Sequence, residues 1–400
     1  MGGDGAPWAE RRGVTVDRIK VAHIITMLEL GGAQANTLYT VTHLDRERFE
    51  PVLLTGSEGP LVAEARASGV RCFFLESLVR PVSPLRDARA FLDIRRVLRT
   101  ERPQIVHTHS SKAGILGRLA AASAGVPAII HSVHGWGFHP QQGRIARSLF
   151  VGLERFVSRF TSLFLAVSEA NLAQGLALGI LSERNARVLR SGIRLRDFHP
   201  DSGKTRTGTT VGMVACFKPQ KAPLDFIRVA ELVLAREPAT RFVLVGDGEM
   251  RPAIEARLRE KGIGPSVTLT GWRRDIPDLM RSFDVLLHTS RWEGLPRVFP
   301  EAMATAIPIV ATRVDGAPEA IEEGISGRLL EPGDVLGMAE AVIELARDGA
   351  LRERMGRAGF ARAAGWDIDE MVRAQEALYE LLRRDGILRP AAAGSAAPNR

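Results

Sequence analysis

The chain has 400 residues, which is long for one hydrophobic core and comfortable for two domains of ordinary size. Its composition, 45% hydrophobic and 25% charged, is that of a soluble globular protein. No apolar run approaches the ~20 residues needed to cross a bilayer, and Cys72 and Cys216 form no CxxC pattern. These features argue against a membrane-spanning protein, a disulfide framework or a structural zinc site, and they favour a cytoplasmic location.

The net charge of +8 is distributed unevenly. Residues 1–200 contain 26 Arg and Lys against 17 Asp and Glu, whereas residues 201–400 contain 28 against 29. A basic first half favours a surface that meets an anionic partner, such as a membrane or a diphosphate-bearing acceptor. The alternative is a general arginine bias, because arginine outnumbers lysine 48 to 6 along the chain. The sequence leaves both interpretations open.

From about residue 18 the first half alternates short apolar runs with longer amphipathic stretches, which predict strands and helices respectively. Strands this apolar, separated by helices, are typical of a parallel sheet covered on both faces. The predicted strands are Ile19–Met27, Val52–Thr55, Val70–Leu75, Gln104–His109, Ala128–His134 and Ser162–Val167, and the predicted helices are Ala33–Leu44, Asp87–Arg99, Ala113–Ala124 and Arg144–Phe160.

Small and polar residues stand where several of these strands end. Gly31 and Gly32 precede the first helix, where paired glycines allow close approach to a ligand or make a tight turn. His107 and His109 point to the same side of a strand, but no carboxylate or cysteine partner is evident, so structural roles are favoured over metal binding. His134 ends the next strand, and we expect its imidazole to face a functional cleft.

The alternation pauses over residues 191–208, a stretch containing Gly, Asp and Pro that predicts a linker. It restarts with predicted strands at Thr210–Phe217, Arg241–Gly246, Val267–Thr270, Val285–Thr289 and Ile309–Thr312. The chain is therefore predicted to be an α/β tandem of two doubly wound units, residues 18–198 and 205–366, with a last helix in 367–386 that packs back toward the first unit. Ligands of such sheets bind beyond the carboxyl ends of the strands, so two facing sheets would share one cleft.

Two lysines, Lys218 and Lys221, follow the first strand of the second unit. Mobile cations beside the backbone donors of a helix start suit a diphosphate. An isolated lysine pair is commonly a solvated surface feature, but the position directly after a strand favours binding. Farther along, Arg251 stands where a dinucleotide fingerprint beginning at Gly246 would need its third glycine, which argues against a dinucleotide-dependent oxidoreductase.

Two carboxylates, Glu293 and Glu301, follow the predicted strand Val285–Thr289 and are separated by seven residues. If a helix begins near Pro296, Glu293 lies in the entry loop and Glu301 inside the helix, so that both can line one pocket. Each carboxylate can accept two hydrogen bonds from vicinal sugar hydroxyls. The alternative for Glu301 is an ordinary acid favoured by the helix dipole.

Taken together, these motifs resemble glycosyltransferase family 4, whose members have the GT-B fold and are retaining enzymes. The resemblance extends from about Ile19 to Tyr379 and is most specific from Glu293 to Glu301. It implies two Rossmann-like domains whose parallel sheets face an interdomain cleft, with the acceptor on the first domain and a nucleotide-sugar donor on the second. The stretch from His107 to Gly117 is similar to that of bacterial members that build surface polysaccharides.

The resemblance also implies roles for the carboxylates. Glu301 would contact the ribose hydroxyls, and Glu293 the transferred sugar, with the backbone N–H groups of Gly294 and Leu295 nearby. His134 is similar to the cleft histidine that contacts the sugar at the reaction centre, which makes His134 and Glu293 the candidate catalytic residues.

Further donor-binding residues follow from the same resemblance. Lys221 matches the lysine of the family's diphosphate clamp, but Cys216 occupies the usual arginine position, and Lys218 is the candidate to supply the missing charge. Gly32 belongs to the glycine loop over the diphosphate and acceptor, and Arg273 to the region that lines the nucleobase pocket.

The implied reaction is a retaining transfer from a nucleoside-diphosphate sugar, UDP-linked rather than GDP-linked, to a saccharide or lipid-linked acceptor. No metal or other cofactor is expected, because cations and helix-end N–H groups would stabilise the leaving diphosphate. Asp367 and Asp369 have the DxD spacing, but they open the last helix, where acids cap N-termini.

Two alternatives remain for the cleft: a GT-B-type nucleotide-sugar epimerase, and a non-catalytic nucleotide-sugar-binding protein. The intact Glu293 and Glu301 pair argues against the second, whereas Cys216 argues for it. For location we expect the cytoplasm, with peripheral association at the inner face of the cell membrane through the basic first domain. Nucleic acid is not expected as a partner.

Overall fold

The computed structural model describes residues 18–139, 142–201 and 208–386. Part of the predicted linker, including residue 205 at the start of the second predicted unit, lies outside these ranges. The strands are β1 (Ile19–Ile24), β2 (Phe49–Gly56), β3 (Arg71–Leu75), β4 (Ile105–His109), β5 (Ala128–Val133), β6 (Leu163–Ala166), β7 (Ala186–Val188), β8 (Thr210–Val214), β9 (Arg241–Val245), β10 (Val267–Gly271), β11 (Val285–His288), β12 (Ile309–Thr312) and β13 (Gly327–Leu330).

Fourteen α-helices accompany these strands within the described ranges. They are α1 (Gly32–His43), α2 (Val62–Ala67), α3 (Pro84–Glu101), α4 (Ser111–Ala124), α5 (Arg144–Ser158), α6 (Glu169–Ala177), α7 (Pro223–Leu234), α8 (Arg251–Lys261), α9 (Ile276–Ser282), α10 (Val298–Ala304), α11 (Ala317–Ala320), α12 (Val335–Arg347), α13 (Gly349–Arg362) and α14 (Ile368–Arg384).

The strands form two parallel sheets, one in each half of the chain. The first has seven strands in the order β3-β2-β1-β4-β5-β6-β7, and the second has six in the order β10-β9-β8-β11-β12-β13. In each sheet the strand order reverses beside the first strand of its half, which is the place where doubly wound sheets bind ligands. The prediction of two Rossmann-like domains with parallel sheets is confirmed.

Two strands, β7 and β13, are absent from the predicted set. They have only three and four residues. In β7 a single residue is buried, and in β13 buried residues alternate with half-buried ones. Each lies at a sheet edge, where one neighbour is enough to order it. Runs this short and this mixed carry too weak an apolar signal for prediction.

The last helix, α14, packs on the first sheet, although it follows the second domain in the chain. Its buried side chains Ile368, Met371, Val372, Tyr379 and Leu382 join a core cluster with residues of β1, β4, β5 and β6. At its start, the Asp367 carboxylate accepts hydrogen bonds from the backbone N–H groups of Asp369, at 2.7 Å, and Glu370, at 3.2 Å. The capping interpretation of Asp367 is thereby confirmed.

None of the helices in the described ranges combines the length and the apolar character that a bilayer crossing would require. The longest, α3, has 18 residues and is rich in arginine.

Candidate active site

A cavity of about 580 Å³ lies between the two domains. Loops beyond the carboxyl ends of β1, β5, β8, β10 and β11 surround it, because parallel strands present those ends at one edge of each sheet. Eight of the nine residues predicted for the site line this cavity: Gly32, His134, Lys221, Arg273, Glu293, Gly294, Leu295 and Glu301. The fold thus brings together residues separated by more than 250 positions in the chain.

Glu293 is the most connected side chain of the cavity. Its Oε1 accepts a hydrogen bond from Ser290 Oγ at 2.6 Å and lies 3.1 Å from His288 Nε2, and it forms an ion pair with Lys221. Burial alone would raise the pKa of this carboxyl, but Lys221 and His288 outweigh that effect and lower it to about 2. Glu293 is therefore an anion with a fixed orientation.

Three partners of Glu293 were missed in the sequence. His288 and Ser290 stand at the end of β11, within five residues of Glu293, and that proximity was an available signal. Asp315, in the loop after β12, accepts the backbone N–H of Glu293 through Oδ2 at 2.6 Å. Only the pairing of β11 with β12 brings Asp315 there.

Glu301 lies in the first turn of α10 and is buried. The helix begins at Val298, two residues later than the start expected near Pro296. Burial raises the pKa of Glu301 to about 7, and Arg297, 4.0 Å away, only partly opposes this effect. The two carboxylates of one cavity therefore differ: Glu293 is anionic, whereas Glu301 titrates near neutral pH.

The backbones of the two domains approach each other closely at Gly294. A Cβ atom built at this glycine would lie 2.3 Å from the carbonyl oxygen of His134, and one at Gly135 would lie 3.4 Å from the backbone nitrogen of Gly294. Any side chain at Gly294 would therefore push the His134 loop away from the Glu293 loop. Glycine is required here by the close approach of two backbones.

Arg297 is a half-buried cation of the cavity to which no role was assigned from the sequence. Its Nε donates a hydrogen bond to the carbonyl of Gly192 at 3.2 Å, and a Cβ atom on Gly32 would lie 3.2 Å from its Cδ. The guanidinium group thus stands between the glycine loop of the first domain and Glu301 of the second.

Lys218 and Arg273 occupy less central places. Among the described residues, the cavity lining includes Cys216 and Lys221 but not Lys218, which lies at the start of a short 3₁₀ turn, Pro219–Lys221. Arg273 lies at the exposed rim and donates to Asp275 through Nε at 2.8 Å. The donor-binding roles of both residues stay predictions.

His134 enters the cavity from the end of β5. Its Nε2 lies 3.2 Å from Nδ1 of His109, and burial lowers its pKa to about 4, so that the imidazole is neutral near pH 7. His109 and His107 lie behind it in the first domain, together with His23, which was not singled out in the sequence.

Nitrogen atoms of His23, His107 and His109 lie within 4.8 Å of one another, a spacing that would admit a metal ion. All three imidazoles are, however, already hydrogen-bonded, and the partners of His107 are Tyr379 and Ser132. Their saturation supports structural histidines, and the independence of the site from metal stays a prediction.

Two family models match the chain, one in each domain. Residues 30–197 match the model described as Glycosyltransferase Family 4, and residues 208–348 match that of Glycosyl transferases group 1. The UDP-Gal:alpha-D-GlcNAc-diphosphoundecaprenol alpha-1,3-galactosyltransferase of Escherichia coli is 30% identical over 350 residues, which are 84% of this chain and 90% of that enzyme. The chain belongs to glycosyltransferase family 4. It is an enzyme that transfers a sugar.

A further glycosyltransferase and a solved structure are similar to this chain. The capsular polysaccharide biosynthesis glycosyltransferase CapM of Staphylococcus aureus is 24% identical over 71% of this chain and 78% of its own length. The crystal structure of Anabaena HepE with UDP and glucose has a TM-score of 0.79 at 20% identity, covering 91% of this chain and all of that one. The GT-B prediction is confirmed, and neither the epimerase nor the non-catalytic alternative is favoured.

Proposed function

We propose that this glycosyltransferase moves a sugar, with retention, from a UDP-sugar to a saccharide or lipid-linked acceptor in bacterial surface-polysaccharide synthesis. The observation that carries the proposal is the convergence of Lys221, Glu293 and Glu301 on one interdomain cavity. Support comes from the Escherichia coli relative, whose name gives UDP-Gal as donor and a diphosphoundecaprenol-linked acceptor.

The contacts of the cavity suggest how a donor binds. Lys221 has three N–H donors, so it can take up a diphosphate while it keeps its ion pair with Glu293. Glu301, once ionised, accepts both hydroxyls of the ribose, and the backbone N–H groups of Gly294 and Leu295 lie beside the sugar. Arg273 at the rim faces the nucleobase.

Retention follows in this proposal from attack on the same face as departure. The acceptor oxygen bonds to the anomeric carbon as the bond to the diphosphate breaks, and the acceptor's proton passes to the departing diphosphate oxygen. Glu293 is held by Lys221, Ser290 and His288, which supports a role in positioning the sugar rather than in forming a covalent intermediate. Lys221 stabilises the leaving group in place of a metal ion.

Cys216 stands where the diphosphate clamp of the family usually has an arginine, and two residues are candidates to supply that positive charge. Lys218 is near in sequence, and Arg297 lies in the cavity lining. A variant series distinguishes them, because Lys218→Met and Arg297→Met each remove one charge at similar side-chain length. We expect the larger loss of activity from the residue that contacts the diphosphate.

The decisive test replaces Lys221 by Met and measures UDP release from UDP-sugars in the presence and absence of polyprenyl-diphosphate-linked saccharide acceptors. We expect acceptor-dependent release in the unmodified enzyme and a fall in kcat of about 100-fold or more in the variant, the usual effect of removing one such charge. Lys261→Met, at the end of α8 and away from the cavity, is the matched control. Unchanged turnover in Lys221→Met would refute the proposal.

We also propose that the enzyme binds the surface of an anionic membrane through α5. The inward face of this helix is fixed, because the Glu154 carboxylate accepts a hydrogen bond from the fully buried Arg118 at 2.6 Å. Val151 and Val157 are buried on the same face. The opposite face of α5 is therefore directed away from the first domain.

That outer face of α5 is apolar. Ile145, Leu149 and Phe156 are 88%, 62% and 47% exposed, and their spacing places them in one stripe along the helix. Phe160, just beyond the helix, extends the stripe and is 39% exposed. The surface of a soluble protein rarely exposes four neighbouring large apolar side chains unless another molecule binds there.

Arginines accompany the apolar stripe. Arg144, Arg155 and Arg159 are exposed beside it, and the single acid of α5, Glu154, faces inward. An exposed apolar stripe with a basic border is typical of helices that lie in the interface of a bilayer with anionic lipids. This charge complementarity favours a membrane over a second copy of the chain as the partner.

A further inference from the structure

A row of imidazoles, half-buried at His134 and buried at His109 and His23, connects the cavity to the C-terminal helix. Nε2 of His134 lies 3.2 Å from Nδ1 of His109, whose Nε2 lies 3.0 Å from Nδ1 of His23. Nε2 of His23 lies 3.3 Å from the hydroxyl of Tyr379 in α14. The row therefore joins β5, β4, β1 and α14 in one series of hydrogen bonds.

Every ring of this series is neutral. Burial lowers the pKa of His23 to about 3 and that of His134 to about 4, and it places the pKa of His109 well below the usual value. A neutral imidazole donates from one nitrogen and accepts at the other. All the hydrogen bonds of the row must then be donated in the same direction, either toward Tyr379 or toward the cavity.

The surroundings of Tyr379 determine the direction. Its oxygen accepts a hydrogen bond from Gln375 Nε2 at 2.6 Å, and its single proton can go to His107 Nδ1 at 2.6 Å or to His23 Nε2 at 3.3 Å. The nitrogen of His107 lies within the usual range of a bond donated by a hydroxyl group and that of His23 lies beyond it, so Tyr379 donates to His107. His107 then donates from Nε2 to Ser132 Oγ, 2.8 Å away.

The tautomers of the remaining rings follow. Because the Tyr379 proton is committed to His107, His23 donates from Nε2 to the Tyr379 oxygen and accepts at Nδ1 from His109. His109 in turn accepts at Nδ1 from His134. The proton of His134 therefore resides on Nε2, and its Nδ1 presents a lone pair.

We propose that Tyr379 and Gln375 are positioning residues which, through His23 and His109, hold Nδ1 of His134 as a hydrogen-bond acceptor for a hydroxyl group of the bound sugar. The inference rests on the proposed function, in which the cavity takes a nucleotide sugar. It assigns a role in the donor site to a helix that follows the donor domain in the chain and packs on the other domain.

The first experiment reads the tautomers directly, without any substrate. Imidazole nitrogen chemical shifts of the ¹⁵N-histidine-labelled enzyme at pH 7.5 are expected to show His134 as the Nε2–H tautomer, assigned by its loss in His134→Gln. An Nδ1–H tautomer, or an imidazolium ion, at His134 would overturn the proposal. Since no turnover is involved, this result stands even if the donor is not a nucleotide sugar.

The second experiment replaces Tyr379 by Phe, which removes one hydroxyl group. The Nε2–H of His23 would then face the core without an acceptor, an arrangement that costs more than leaving a lone pair unused there. We expect the row to reverse, so that His134 carries its proton on Nδ1. The transferase should lose about tenfold in kcat, equivalent to about 1.4 kcal/mol, with the KM for the donor within about twofold.

Phe49→Leu is the matched control, because the Phe49 ring packs edge-on against that of Tyr379, with centroids 5.8 Å apart, and takes no part in the row. It should lower the Tm without changing the tautomer of His134 or kcat. An unchanged tautomer in Tyr379→Phe would overturn the proposal, as would equal losses of kcat in both variants. If the tautomer of His134 reverses in Tyr379→Phe but the unmodified enzyme has no activity toward any sugar nucleotide, the result would instead count against the proposed function.

Discussion

At the scale of single residues, the cavity shows how one pocket gives two carboxylates opposite properties. Glu293 and Glu301 are both buried. Glu293 has a lysine and a histidine against its oxygens, and its pKa falls to about 2. Glu301 has Arg297 at 4.0 Å as its counter-charge, and burial raises its pKa to about 7. Both residues were predicted from their spacing, but this difference depends on neighbours that the spacing does not show.

The raised pKa of Glu301 predicts a pH dependence of UDP binding. Below the pKa of about 7 the carboxyl is protonated and cannot accept both ribose hydroxyls. The Kd for UDP should therefore rise about tenfold from pH 8 to pH 6, following the ionised fraction. Isothermal titration calorimetry measures the Kd for UDP of the unmodified enzyme and of Glu301→Gln at each pH. Because the protonation of UDP itself affects both proteins equally, it cancels when the two pH profiles are compared. Equal pH profiles in the two proteins would contradict the assignment of Glu301 to the ribose.

At the scale of elements, α5 has two faces of different character, one packed against the first domain and one exposed. The inner face carries the Arg118–Glu154 pair, which must stay together because either charge alone would be buried without a counter-charge. The outer face carries Ile145, Leu149 and Phe156. The sequence predicted the helix and the basic first domain, but the orientation of the helix, and hence which residues are outside, came from its packing.

The outer face of α5 predicts binding to vesicles of phosphatidylcholine and phosphatidylglycerol. The double substitution of Leu149 and Phe156 by Ser should weaken this binding about tenfold or more, given the apolar area that each side chain can bury. Leu92→Ser, an exposed apolar position of α3, should leave it unchanged. Sedimentation with vesicles at increasing salt measures the effect, and binding should weaken steeply with salt.

Two results would count against α5 as the docking element. Equal vesicle binding by the double variant and the unmodified enzyme would place the contact elsewhere. A dimer seen by light scattering without lipid, and lost in the double variant, would assign the stripe to a second copy of the chain.

At the scale of the whole molecule, the chain passes between its two domains twice. Beside Gly192, the Ile193 N–H donates to the carbonyl of Trp366 at 2.8 Å, and the Ile368 N–H donates to the carbonyl of Ile193 at 2.9 Å. The outgoing and returning segments are thus hydrogen-bonded to each other. They deliver α14 to the first sheet, where its Tyr379 also reaches the histidine row.

Because α14 packs on the first sheet, we expect that the first domain needs this helix to fold. Five buried side chains of α14 each contribute about 1.5–3 kcal/mol of apolar burial, which together match the net stability of a typical domain. Residues 18–201 expressed alone should therefore lack a cooperative thermal transition in circular dichroism. The same residues joined by a flexible linker to residues 367–386 should regain one. A cooperative transition with the same Tm in both proteins would contradict the prediction.

The sequence by itself determined most of the strands, the class of fold and the principal carboxylates. Apolar runs and amphipathic periods are local properties, and α14, Ile368–Arg384, lies within the range 367–386 predicted for the last helix. Glu293 and Glu301 were predictable for the same reason, because a loop and the helix after it fix their relation over a few residues.

The tertiary structure alone decided which side chains meet and what that does to their charges. Asp315 reaches Glu293 through strand pairing, and His23 reaches Tyr379 across 356 positions of the chain. Lys218, near Lys221 in sequence, lies outside the cavity lining of the described residues. Contacts between residues far apart in the chain, and the burial that shifts a pKa, depend on how whole elements pack, and no local pattern in the sequence encodes them.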